Sequence, residues 1–508
     1  SAALAKLGRY EEAISNFDQL LADQPDNAQA WNNRGAAQLE LRQYEAALTS
    51  FNQALHHNPN DAQAWDNRGA ALSNLERYEE AISALDRALE IDPDTSNVWN
   101  SRGAALNNLR RFQEALESAE RGIALQPESA YGWYVKGFAL DGLTLYEEAI
   151  ASCDQALQYE PENASVWTVL GCVLVDLGRY EEALEHHNRA LQCKPDLPLA
   201  WGARGATLSK LGRHEEAISD LDQALQLKPN MSQAWRGRGV ALANLGYYEE
   251  AISSYDKALN LKLNFPDAWI SRGFATLYSA LYPANRGESN SLLEVESPPP
   301  AQIPDLNLRG YEGCLACFQA GFEYALEDAE GTGKLHQGLG EAHRLWGNHQ
   351  ENPLPHWRKA ASSYEAALKF FTADAFPQAR LEVLALLLRI YRELNVSDEI
   401  TAALLRQGTA LLRRLLNKAT SDAQKQRLGL QFASFGQATV DLWVQQGEVV
   451  KALETAELDK NWLMTWLLRW QDPDDIPTAD YDVMRQLLRP FTAIVYWHLS
   501  PDALTTFI

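Results

Sequence analysis

The side chains best suited to chemistry lie between residues 314 and 356. Cys314-Leu-Ala-Cys317 is a CxxC, half of a common zinc site, and His336, His343, His349 and His356 follow it. A structural zinc needs a second CxxC or a closely spaced His pair, and histidine spacings of seven, six and seven supply neither. Either cysteine with any of these histidines could form a nucleophile and base, yet no local signature accompanies them. Both cysteines are therefore expected to be buried helical residues, and no catalytic residue or metal site is assigned. His498, inside a strand-like run, reads as structural. Doublets such as Glu11-Glu12, Glu79-Glu80 and Glu249-Glu250 could serve as acid–base pairs, but they recur at helix starts, where carboxylates complement the positive end of the helix. No P-loop, GxSxG, HExxH or GxGxxG occurs, so no cofactor is expected.

Forty-five basic and 68 acidic residues among 508 give a formal charge of −23. That balance argues against nucleic acid and against an anionic membrane surface, both of which need a concentrated basic face. Proteins or peptides are the expected partners. Cys153, Cys172, Cys193, Cys314 and Cys317 are too few and irregular for a disulfide framework, which fits a reducing cytoplasm. The richest apolar run, Leu381 to Tyr391, is interrupted by Arg389 and is far shorter than a membrane span. No signal peptide is visible. Residues 1 to 7 read as the end of a helix in mid-repeat, so the native start is expected to precede Ser1.

The elements that position these groups are written in a ladder of eight tryptophans. Trp31, Trp65, Trp99, Trp133, Trp167, Trp201, Trp235 and Trp269 are each 34 residues apart. Gly follows every Trp at the fourth position, Ala at the sixteenth in seven units, and Pro at the twenty-eighth in six. A fixed period of this length means stacked helical units. The pattern resembles the tetratricopeptide repeat (TPR). That resemblance implies an all-α fold, a right-handed superhelix (α-solenoid) of about eight units over residues 1–281, the first truncated. One departure is consistent: the third residue after Trp is Arg or Lys in all units but one, where Leu170 stands. The stems of this basic ladder are expected to cover the seams while the charged ends reach carboxylates. Gly8, Gly178, Gly212 and Gly246 suit a left-handed helix end. The Trp ladder is expected to be core, with Gly at +4 letting the second helix approach.

Residues two before, one after and five after each Trp are expected to line the concave face. In early units these include Asn32, Asp66, Asn97 and Asn100, in the fourth Tyr131, Tyr134 and Phe138, and in the seventh Arg236. Amides on successive turns can grip an extended backbone, and the aromatic cluster can anchor one apolar side chain. A peptide ligand in this groove is the expected partner.

Beyond Trp269, residues 282–304 are rich in Pro, Gly and Ser and read as a linker or long insert. Residues 305–470 regain helical periodicity as degenerate repeats, with helices expected at 310–329, 334–347, 358–372, 378–394, 398–417, 423–446 and 449–470. A break at 471–481 precedes a β-hairpin, Thr492 to Leu499 and Leu504 to Ile508, turning at Ser500-Pro501-Asp502. Two strands alone are marginal in water. "KALETAELDKNWLMTWLL" followed by "PFTAIVYWHLSPDALTTFI" resembles the start of the CHAT domain, a caspase-like module found behind TPR arrays, particularly in cyanobacteria. The resemblance implies that residues 482–508 open an incomplete caspase-type α/β domain continuing past Ile508. It also implies a Cys and His dyad downstream that cleaves peptide bonds, and links to heterocyst differentiation and cell division. The alternative is a non-enzymatic scaffold whose hairpin pairs with a partner or with its own helices.

Overall fold

The structure, a computed structural model, describes residues 8–282, 308–325 and 328–419, a few positions from 425 to 435, and strands at 496–499 and 504–507. The chain divides into two compact units, residues 1–213 and 214–508.

The first unit is all helix among its described residues. It comprises α1 (Tyr10–Asp23), α2 (Ala28–Glu40), α3 (Tyr44–His57), α4 (Ala62–Asn74), α5 (Tyr78–Ile91), α6 (Ser96–Asn108), α7 (Phe112–Leu125), α8 (Ala130–Gly142), α9 (Tyr146–Tyr159), α10 (Ala164–Asp176), α11 (Tyr180–Cys193) and α12 (Pro198–Lys210). Each Trp of this unit lies in an even-numbered helix, and from α2 to α11 the odd-numbered helix after it closes the hairpin. Several Trp-bearing helices start on a side-chain cap. Asn27 accepts from the Ala30 N–H, Asp61 from that of Ala64, and Ser129 from that of Gly132. Such caps satisfy N–H groups that the first turn leaves open. The odd helices open differently: the second Glu of the doublet binds the Arg before the helix, as in Arg77–Glu80 at 2.7 Å and Arg9–Glu12, and Glu114 binds Arg111 in the same way. These carboxylates serve helix ends.

Glycine at +4 is where the two helices of a hairpin meet. A Cβ on Gly35 would lie 2.6 Å from the Phe51 ring, and one on Gly69 would lie 2.7 Å from Leu85. Phe51 and Leu85 are both fully buried, as are Leu72 and Leu106. Gly178 and Gly212 end their helices with φ of 77° and 76°. At the same place in other units Arg42, Glu76, Arg110 and Thr144 adopt φ of 58° to 63°, a conformation costly for side chains with a Cβ.

The tryptophans depart from expectation. Trp31, Trp65, Trp99, Trp133, Trp167 and Trp201 are only half-buried, and full burial is reached in the second unit, by Trp235 and Trp269. The indole N–H needs an acceptor at either degree of burial. Each donates to the carbonyl six residues earlier, Pro25, Pro59, Pro93, Pro127, Pro161, Pro195 and Pro229 in turn, at 2.8–2.9 Å. The half-buried rings and the buried Trp235 make the bond alike, so it satisfies the N–H without setting the burial.

The second unit continues with α13 (His214–Leu227), α14 (Ser232–Asn244), α15 (Tyr248–Leu261) and α16 (Pro266–Leu281), then α17 (Gly310–Tyr324), α18 (Ala329–Gly347), α19 (Leu354–Phe370), α20 (Pro377–Glu393) and α21 (Asp398–Lys418). The helix expected over 310–329 ends instead at Tyr324. Asp328 then caps α18, accepting from the Gly331 N–H at 2.8 Å. Gly340 faces the Tyr364 ring, so α18 and α19 keep the glycine contact of a repeat hairpin. Trp269 is fully buried, its ring stacked on Tyr324 at 6.3 Å. Strands β1 (Tyr496–Leu499) and β2 (Leu504–Phe507) pair antiparallel, Tyr496 opposite Phe507 and Leu499 opposite Leu504. The expected linker at 282–304 apart from Tyr282, that at 471–481, the helix at 449–470 and most of that at 423–446 lie outside the described residues.

Candidate functional site

The basic ladder resolves into a repeated bond. Arg34 reaches Asp18 at 2.7 Å, Arg68 reaches Asn52 at 2.9 Å, Arg102 reaches Asp86 at 2.6 Å, and Lys136 reaches Glu120 at 3.0 Å, each sixteen residues back. Arg34 and Arg102 also donate to Ser50 and Ser118, sixteen residues ahead. The same cations lie 5.4–5.7 Å from the centroids of Trp31, Trp65 and Trp133. In the second unit Arg238–Asp222 and Arg272–Asp256 repeat the bond, now buried. The ladder is a seam fastening.

Among the residues assigned to the ligand face, Asn32 and Asn100 are corrected. Asn32 is 3% exposed and accepts from Asn67 Nδ2 at 2.9 Å. Asn100 is fully buried, its Nδ2 near Ser96 and Ser129. Position +1 is covered by neighbouring side chains in these two units. Gly132 of the next unit lies against the Asn100 amide, as does Gly122. Asn97 is exposed and Asp66 half-buried. Arg236, in the second unit, lies over Phe265 at 5.9 Å.

The aromatic cluster lies on α8. Tyr131 is 43% and Phe138 37% exposed, while Val135, Ala139 and Leu140 of the same helix are buried. The Tyr131 and Tyr134 rings stack 6.1 Å apart at 18°. Tyr134 is half-buried and packs against the cluster of Cys153, Val169 and Leu170, so it is part core, and removing it opens packing that the other two leave intact. Burial pushes its hydroxyl up to about 12, with Tyr131, Cys153 and Cys172 adding to the effect. Asp66 lies within electrostatic reach of the Tyr131 hydroxyl. Burial raises the Asp66 carboxyl to about 6.

Asp141, eight residues after Trp133, was absent from the sequence assignment although +8 falls on the same stripe. Burial and Asp176 raise its carboxyl to about 7, and its Oδ1 is buried without a hydrogen-bond partner. An open depression of about 820 Å³ elsewhere, lined by Asp86, Trp99, Arg102, Glu117 and Glu120, was likewise not foreseen.

Cys314 and Cys317 are fully buried, and burial raises both thiols. Arg272 donates to Cys317 Sγ at 3.1 Å. A protonated, enclosed thiol is a poor nucleophile. His343 is buried and pairs through Nδ1 with the Tyr311 hydroxyl at 2.6 Å, His349 bonds the Leu345 carbonyl, and His336 packs on Phe322. Among the described residues no group of three or more His, Cys, Asp or Glu is arranged to hold a metal, and no helix is long and apolar enough to cross a membrane.

Tetratricopeptide-repeat family models match residues 28–61, 62–95, 101–158, 145–206 and 203–267, and a TPR repeat model matches residues 2–41. The chain is a tetratricopeptide repeat protein. Solved structures similar to this TPR protein include a TPR protein from Parabacteroides merdae, with 16% identity over 49% of this chain and 98% of that one, TM-score 0.41. Another is a thermophilic TPR protein of Thermus thermophilus, with 23% identity over 36% and 100%, TM-score 0.34. A third is MamA from Desulfovibrio magneticus, with 26% identity over 33% and 95%, TM-score 0.30. No curated protein matches the chain. A TPR array implies interaction with other proteins.

Proposed function

We propose that the first unit binds an extended segment of a partner protein along Tyr131, Tyr134 and Phe138, with Asn97 and Asp66 on preceding units contributing polar contacts. The observation that carries this reading is the exposure of Tyr131 and Phe138 on a helix whose Val135, Ala139 and Leu140 are buried. Apolar area left in water forgoes about 25 cal/mol per Å², and grouped exposed rings mark contact surfaces. The array then serves as the recognition and regulatory part of a caspase-like CHAT cysteine protease resembling cyanobacterial HetF, a regulator of heterocyst differentiation and cell division. The sequence KALETAELDKNWLMTWLL at 451–468 and the antiparallel pairing of 496–499 with 504–507 support that assignment. A non-enzymatic adaptor is the second reading, and the burial of Cys314 and Cys317 accords with either.

The test of the groove is binding of a fluorescent random-peptide library to the whole chain. Tyr131→Ala and Phe138→Ala should each weaken binding roughly thirtyfold, the equivalent of about 2 kcal/mol, with unchanged melting temperature. Unaltered affinity in both variants refutes the assignment. Thiol-dependent peptide cleavage by this chain, abolished by Cys314→Ala or Cys317→Ala, would place catalysis in the helices and overturn both readings of those cysteines.

A further inference from the structure

The ligand-facing stripe of the first unit carries acid and aromatic surface without base. At the positions two before and one, five and eight after Trp, its six Trp-bearing helices hold no Lys, Arg or His, but two carboxylates, Asp66 and Asp141. These flank the aromatic cluster. Asp66 is within electrostatic reach of Tyr131, whose ring stacks on Tyr134. Tyr134 is in reach of Cys172, and Cys172 of Asp141. Asp141 Oδ1 is shielded from water and has no donor. A desolvated carboxylate without a partner is costly, and what it lacks is a donor, best a charged one. Aromatic faces attract the same kind of group, a cation within about 6 Å of the ring.

We infer that the stripe recognises a basic side chain of the bound segment, a lysine ammonium or an arginine guanidinium, seated on the Tyr131 and Tyr134 surface between Asp66 and Asp141. This rests on the groove reading above and adds the chemistry of the ligand. The chain's strong acidity would draw a basic segment from a distance, while the two carboxylates give it a register. Asp176, beside Asp141, adds to the local negative charge.

The experiment compares four fluorescent libraries on the whole chain, random except for a central Lys, Arg, norleucine or Glu. The Lys and Arg libraries should bind about tenfold or more tighter than the norleucine library, and Glu weakest. The double variant Asp66→Asn, Asp141→Asn should erase the Lys-over-norleucine preference while leaving the melting temperature at or above the original. Equal binding of Lys and norleucine, or a preference that survives the double variant, overturns the inference and leaves the groove standing. If no library binds, or binding persists in Tyr131→Ala and Phe138→Ala, the groove reading fails and the inference falls with it.

Discussion

Replacing His187 by Leu should stabilise the first unit, and more so in acid. His187 is fully buried on α11 against Gly171, where the equivalent residue of another unit is Leu85 against Gly69. Neither ring nitrogen has a hydrogen-bond partner. Burial above all, with His186 and Arg204, lowers its pKa from 6.5 to about 4. The folded chain therefore holds His187 neutral, and the stability tied to it is intact above 6.5 and lost as pH falls toward 4. The full shift corresponds to about 3.4 kcal/mol, of which about 2 kcal/mol is expressed at pH 5. At pH 7.5, His187→Leu should gain about 1–3 kcal/mol by removing the unsatisfied ring polar groups, and at pH 5 the gap should widen by about 2 kcal/mol more. Urea unfolding followed by far-UV circular dichroism at both pH values measures the difference, in which the other titrating groups largely cancel. Amide exchange over Tyr180–Cys193 localises it, since an array can open unit by unit. A leucine variant no more stable than the original, or a gap identical at the two pH values, refutes the reasoning.

Two further outcomes concern the backbone and the seam. Thr144→Gly, at a left-handed, β-branched position, should gain about 1 kcal/mol, and Gly178→Thr should lose at least as much; thermal melting of each checks the pair. Asp222→Ala, leaving the buried Arg238 without this carboxylate, should cost about 3–5 kcal/mol, whereas Asp18→Ala, whose partner Arg34 is part-exposed, should cost under about 1 kcal/mol; similar losses in urea unfolding would show that burial does not set the strength of the fastening.

Much of the fold was legible because each unit's signals are local. The period of the tryptophans, the glycine at +4 and the glycines of the helix ends are short-range requirements, and the structure meets them at Gly35, Gly69, Gly178 and Gly212. The site was legible only in part. Helical spacing shows which side of α8 bears Tyr131 and Phe138, but not that Tyr134 turns into the Cys153 cluster. Asn32 and Asn100 share a position with Asp66, and their burial was decided by Asn67, Gly122 and Ser129, residues far along the chain. The tryptophans misled for another reason. Their bulk suggests core, yet the same spacing gives half-buried rings from Trp31 to Trp201 and buried ones at Trp235 and Trp269.

The sixteen-residue bond between cation and carboxylate bears on how such an array can change length. In the first unit each fastening described, Arg34 to Asp18 or Arg102 to Asp86, crosses a single boundary between neighbouring repeats. Because the partners stand at the same phase of the 34-residue period, cutting and rejoining the gene at equivalent points would excise or duplicate a whole segment and still present every cation with an acceptor. Crossovers out of phase would leave an arginine facing the wrong turn of helix. The fastening thus acts as a reading frame at the protein level, passing recombinants that preserve the period and rejecting the rest.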